Sequence, residues 1–125
     1  MLLIGSGKDY KMKDCLFCRI IAGEIPSTKV WEDEVCYAFR DINPQAKCHV
    51  VLVPKAHVTD ICDGAEKLDD AVLGHMIRTV RDIARQEGLG EGFRVISNCG
   101  KHGCQSVGHW HIHILGGDQL SEKMA

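Results

Sequence analysis

His109-Trp110-His111-Ile112-His113-Ile114-Leu115 is the stretch whose reading decides the fold of this 125-residue chain. Strict alternation of histidine with apolar residues predicts a β-strand, because successive side chains on a strand point to opposite faces. His109, His111 and His113 then share one face, with neighbours about 6.6 Å apart along the chain, and Trp110, Ile112 and Ile114 occupy the other. The apolar face belongs to the core. The second face sets three imidazoles side by side, able to act near neutral pH as nucleophile, proton donor or metal ligand. An alternating histidine strand can equally be an accidental metal-binding patch or a polar solvent face. The approach to it weighs against those readings: Gln105-Ser106-Val107 offers a hydroxyl and backbone N–H donors where an incoming anion would need them.

The rest of the chain supplies a sheet for this strand to join. Cys36 to Phe39 and Lys29 to Glu32 read as a hairpin closed by Asp33-Glu34. The β-branched run His49 to Val53, stopped by Pro54, suits a central strand, and Phe93 to Ser97 adds another. Between Asp69 and Gln86, Val72, Leu73, Met76, Ile77, Val80, Ile83 and Ala84 recur at the spacing of one buried helical face, which Gly88 and Gly90 terminate. Phe17 to Ala22 fits one or two helical turns, closed by Gly23 and Pro26. The expected architecture is α+β: an antiparallel sheet with one long and one short helix. Residues 1–13 read as a flexible arm and residues 14–125 as a single domain.

A formal charge of -2 gives no basis for nucleic-acid binding, and the apolar start Met1 to Ile4 is broken by Gly5 before it could act as a membrane span. No membrane association is expected, and the expected location is the cytoplasm, with the nucleus also open to the chain. Seven cysteines then read as reduced thiols. Cys36, Cys48, Cys62, Cys99 and Cys104 have no ligand spacing and are expected as small buried or half-buried residues. Cys15 and Cys18 differ, since a Cys-x-x-Cys pair can share a metal or form a redox disulfide. His75, opposite the apolar face of the long helix, is expected in solvent; His102 lies in the glycine-rich loop, and neither is a candidate catalyst. Glu32-Asp33-Glu34 and Asp69-Asp70 read as a turn and a helix start.

The segment from Gln105 to Gly117, with its three alternating histidines, resembles the signature of the histidine-triad (HIT) family. Asp41 to Ala46, His49 and Pro54-Lys55-Ala56-His57 are similar to that family's central strand region, and Cys15 to Pro26 to its first helix, so the likeness runs from about Asp14 to Gln119. The length and the Leu115-Gly116-Gly117 ending resemble the Hint branch. Cys104, Gly108 and the carboxyl end depart from its usual pattern, next to the segments that shape substrate preference.

The resemblance implies an enzyme that cleaves purine nucleoside 5'-phosphoramidates through a nucleotidyl-histidine intermediate. His111 would be the nucleophile, His49 and His113 would position phosphate oxygens, and Ser106 would bond the leaving atom. Phe17, Ile20 and Phe39 would wall the base, Asp41 would accept from the ribose with Ile42 beside it, and Asn98, Gln105 and Val107 would complete the nucleotide site. By residue type alone, Phe17, Ile20 and Phe39 read as core and Asp41 as a turn-former before Asn43-Pro44. The resemblance further implies a structural zinc on Cys15, Cys18, His57 and His109, against unmetallated thiols, and a homodimer that completes a ten-stranded sheet. A dinucleoside polyphosphate hydrolase of the Fhit type, or a nucleotide-binding scaffold dimer with vestigial activity, are the rival functions.

Overall fold

Strand Cys48–Pro54 is buried at every position, and the rest of the fold explains why. In the computed structural model, which describes residues 14–124, this strand (β3) lies at the centre of a five-stranded antiparallel sheet. The other strands are β1 (Lys29–Glu32), β2 (Cys36–Arg40), β4 (Phe93–Ile96) and β5 (Ile112–Gly116), in the order β1-β2-β3-β5-β4. Val50 and Leu52 point to one face and pack with Ile112, Ile114 and Trp110 beneath the long helix α3 (Asp70–Gln86). Val51 and Val53 point to the other, where Phe17 and Ile20 of helix α1 (Leu16–Ile21) meet Tyr37 and Phe39. Both faces of β3 are therefore covered, as a continuous apolar run requires.

Helix α3 buries Met76, Thr79, Val80, Ile83 and Ala84 and is capped by Asp69, whose carboxylate accepts from the Val72 N–H at 2.9 Å. Its end is closed by Gly88 at φ +73°, with the Leu89 N–H returning to the Ala84 carbonyl at 2.9 Å. Ile77, expected in the buried stripe, is 63% exposed: one residue past Met76, it has turned about 100° away from the sheet. His75, expected in solvent, is half-buried and hydrogen-bonded to Asp33 at 2.7 Å. That carboxylate also accepts from the Trp31 indole and from the N–H groups of Val35 and Cys36, so the acidic turn clamps the β1–β2 hairpin to α3.

Two further expectations need correction. A second short helix, α2 (Ile61–Lys67), follows β3; Asp60 caps it, and it has no apolar periodicity, because its contact with the core is Gly64 under the Trp110 ring. A Cβ at Gly64 would stand 3.0 Å from that ring. The last strand begins at Ile112 rather than His109. The Trp110 N–H bonds to the Val58 carbonyl and the His111 carbonyl accepts from Ser97, so neither joins the ladder. The alternation of faces nevertheless continues through His109. The arm expected over residues 1–13 lies outside the described residues. No helix among the described residues is long and apolar enough to cross a membrane.

Candidate active site and metal centre

Pairing of β3 with β5 sets His49 opposite Leu115 and Val51 opposite His113, which makes the two histidines diagonal neighbours on one face. His49 Nε2 lies 2.9 Å from His113 Nδ1 and 3.4 Å from an Asp41 carboxylate oxygen. The Gln45 N–H donates to His49 Nδ1 at 3.0 Å, so neutral His49 carries its proton on Nε2. That proton faces His113 Nδ1, which must then accept, leaving the His113 proton on Nε2. The same logic applies to His111: its Nδ1 is 2.7 Å from the His109 carbonyl, which can only accept. The proton is held on Nδ1 and Nε2 keeps its lone pair.

Burial holds all three rings in the neutral form. His49 and His111 are pushed below the ordinary imidazole value chiefly by desolvation, opposed by the Asp41 charge at His49 and by the His109 carbonyl bond at His111. His113 falls furthest, to about 4, from burial first and then from the neighbouring His111 and His49. Phe17 seats the edge-on geometry at His111, with ring centroids 5.0 Å apart. A neutral imidazole with a bare Nε2, beside a second whose Nε2 carries a proton, can attack an electrophilic centre and stabilise the charge that develops there.

At the other end of the segment the partners change. His109 donates from Nε2 to the Pro54 carbonyl at 2.9 Å, which directs its bare Nδ1 towards Cys15 Sγ at 3.3 Å, Cys18 Sγ at 3.4 Å and His57 Nδ1 at 3.2 Å. Cys18 Sγ is 3.3 Å from His57 Nδ1. A tetrahedral cation with zinc-like bond lengths spaces such donors by about 3.3–3.8 Å, so the four side chains fit a closed zinc site. Cys15 sits at the N-cap of α1 and its thiol is lowered to about 2, mainly by the Cys18 thiol, with His109 and His57 helping against partial burial. A thiolate is the form that binds metal.

Asp41, His49, Asn98 and His113 line one cleft of about 480 Å³, joined by Arg94 and Ser121. Ser106 and Val107 line a separate cleft of about 490 Å³ with Cys15 and His57. Asp41 meets its turn-forming reading as well: its Oδ1 accepts from the Asn43 N–H at 2.8 Å. Phe17, Ile20 and Phe39 pack as core beside the histidines, whereas Ile42 is fully exposed. Gln105 faces inward, accepting from the Gly100 N–H and donating to the Thr59 and Val107 carbonyls, and so holds the loop that carries Ser106.

Sequence reasoning missed Arg94 and Gln45. Period-two alternation along β4 could have placed Arg94 on the cleft face with Ile96; Gln45 acts through its backbone, which leaves no residue-type signal. Of the cysteines expected buried or half-buried, Cys62 and Cys104 are exposed, since α2 and the 99–108 loop turn them outward.

A sheet with three alternating histidines on one face, two ordered for proton chemistry and one facing a Cys-Cys-His set, is the arrangement of a histidine-triad domain. The chain belongs to the HIT family: the HIT domain model matches residues 22–120. It is 46% identical over 110 residues to the 14 kDa zinc-binding protein of Brassica juncea, covering 86% of this chain and 96% of that protein. It is 47% identical over 109 residues to the adenylylsulfatase HINT1 of Arabidopsis thaliana, covering 85% of this chain and 73% of that protein. The crystal structure of a HIT family hydrolase from Legionella pneumophila superposes with a TM-score of 0.84 at 41% identity, covering 90% of this chain and all of that one.

Proposed function

We propose that the protein is a Hint-type hydrolase that cleaves purine nucleoside 5'-phosphoramidates of the adenosine 5'-monophosphoramidate kind and releases the nucleoside monophosphate. The observation that carries this reading is the 2.7 Å bond from His111 Nδ1 to the His109 carbonyl, which leaves Nε2 bare. Nε2 attacks the α-phosphorus, the phosphorus–nitrogen bond breaks as the nitrogen takes up a proton and leaves as ammonia, and a nucleotidyl-His111 intermediate forms. Water then attacks the same phosphorus and frees His111. His113, oriented by His49, donates from Nε2 to a phosphate oxygen, and Ser106 hydrogen-bonds the departing nitrogen. Asp41 accepts from a ribose hydroxyl, Phe17, Ile20 and Phe39 wall the base with exposed Ile42 free to cover it, and Asn98 and the Gln105–Val107 segment complete the nucleotide contacts.

In this reading Cys15, Cys18, His57 and His109 hold one zinc, whose contribution is to tie α1 to the sheet. The protein pairs as a homodimer through edge strand β4, where Phe93 and Val95 are exposed.

Turnover of adenosine phosphoramidate, aminoacyl adenylate, adenylyl sulfate and diadenosine polyphosphate by the purified chain tests the assignment, together with a mass-spectrometric search for a nucleotidyl adduct on His111. Fastest turnover of the phosphoramidate with the adduct is expected. Preference for the polyphosphate would make it Fhit-type. Binding without turnover of any compound would make it a scaffold.

A further inference from the structure

Cys62 and Cys99 come from different elements, one from the first turn of α2 and the other from the loop after β4. Their sulfurs nevertheless lie within 4.8 Å of each other. Cys62 is exposed and Cys99 half-buried, so an oxidant reaches the first and the second waits beside it. An Asp60 carboxylate oxygen stands within the same distance. Asp60 Oδ1 is engaged as the cap of α2, accepting from the Asp63 N–H at 2.8 Å, which leaves the pair of thiols as the reactive part of the cluster.

The geometry points to a dithiol oxidation site at Cys62 and Cys99, which we propose takes a small peroxide and closes to an intramolecular disulfide. The Cys62 thiolate attacks a peroxide oxygen, the O–O bond breaks, and hydroxide leaves with a proton as water. The resulting Cys62 sulfenic acid is attacked by Cys99 sulfur; the S–O bond breaks, the S–S bond forms, and a second water departs with the Cys99 proton. Two thiols lose two electrons and the peroxide is reduced to two waters. Closure needs the sulfurs to approach from at most 4.8 Å to about 2.05 Å. The exposed Cys62 side chain and the open loop at Gly100 can supply that movement.

The bond would fasten α2 to the 99–108 loop. That loop is already held to the preceding segment by Gln105, whose amide donates to the Thr59 carbonyl at 2.6 Å. It follows Asn98 directly and carries Ser106. Oxidation would therefore tighten the backbone beside the nucleotide cleft without touching a histidine.

The test treats the reduced full-length chain with hydrogen peroxide and maps its peptides by mass spectrometry, with amide exchange on the same samples. The expected result is a cross-linked peptide joining Cys62 and Cys99, lighter by two hydrogens and restored by a thiol reductant. It should be absent in Cys62→Ser and Cys99→Ser and retained in Cys104→Ser. Amide exchange across residues 100–105 should slow in the oxidised wild type and not in either single variant. Over-oxidised or singly modified thiols with no Cys62–Cys99 peptide, or a Cys99–Cys104 link in its place, would overturn the site. Formation of the peptide with unchanged loop exchange would overturn the fastening.

Discussion

His109 and His111 are two residues apart on one face, yet they stand in opposite chemical company. Each donates one ring N–H to a backbone carbonyl, Pro54 for His109 and His109 itself for His111. The difference lies at the other nitrogen. For His109 it faces two sulfurs and the Nδ1 of His57, a donor set suited to a zinc-like cation. For His111 it is left for an electrophile, beside a His49–His113 pair whose protons are ordered by the Gln45 N–H. Identical side chains on one strand-like segment are thus suited to different work, a ligand at His109 and, in the proposed reaction, a nucleophile at His111, according to what the sheet brings to the second nitrogen.

The largest effect should come from separating the two. His111→Asn is expected to lower phosphoramidate turnover by about 10⁴-fold or more while nucleotide binding and metal content persist, because the variant keeps a polar side chain in the pocket but has no nucleophilic nitrogen. Near-wild-type kcat in this variant would remove His111 from the chemistry. Conversely, Cys18→Ser should abolish stoichiometric zinc by elemental analysis and lower Tm by roughly 10 °C or more, with α1 released from the sheet. Unchanged metal content would show that the four donors are a thiol–imidazole cluster without a cation.

The catalytic end can be distinguished from the metal end by pH as well. His113 is held at about 4, against an ordinary 6.5, so between these values the unfolded chain binds the proton that the folded chain refuses. The stabilisation from keeping His113 neutral is complete above 6.5 and is lost as pH falls towards 4, at most about 3 kcal/mol. Urea unfolding at pH 7, 6, 5 and 4 should show wild type losing more stability over this interval than His113→Gln. Parallel curves would show that burial does not suppress this proton.

How much of this was legible beforehand depended on whether a residue acts through its side-chain type or its backbone surroundings. The β3 run, the stripe of α3 and the alternation from His109 to His113 are patterns of type, and the sheet and its two faces followed from them. Helix α2 was not legible, because its core contact is the absence of a side chain at Gly64. Nor was the Asp33–His75 clamp, which joins residues 42 positions apart. Within the site, Cys15 and Cys18 were legible as a metal-capable pair from their spacing, whereas their completion by His57 and His109, and the place of His49, came from resemblance, since the gaps from Cys18 to His57 and from His57 to His109 carry no spacing rule. The proton order of the histidines could not be read at all: it is set by the carbonyls of Pro54 and His109, which any residue could supply, and by the amide of Gln45, which any residue but proline could.

Asp41 gives the smallest and sharpest distinction, because its two oxygens have different work. Oδ1 accepts from the Asn43 N–H and shapes the turn after β2, while Oδ2 lies 3.4 Å from His49 Nε2, and the residue lines the cleft. Asp41→Asn keeps an oxygen for the turn but removes the charge, whereas Asp41→Ala removes both. If the carboxylate binds ribose, both variants should weaken nucleoside monophosphate binding by about tenfold, or about 1.4 kcal/mol, with turnover at saturating substrate reduced much less than in His111→Asn. Titration calorimetry on the two variants checks this. Weak binding in Asp41→Ala with full affinity in Asp41→Asn would mean that the turn, and not the charge, is what the nucleotide requires.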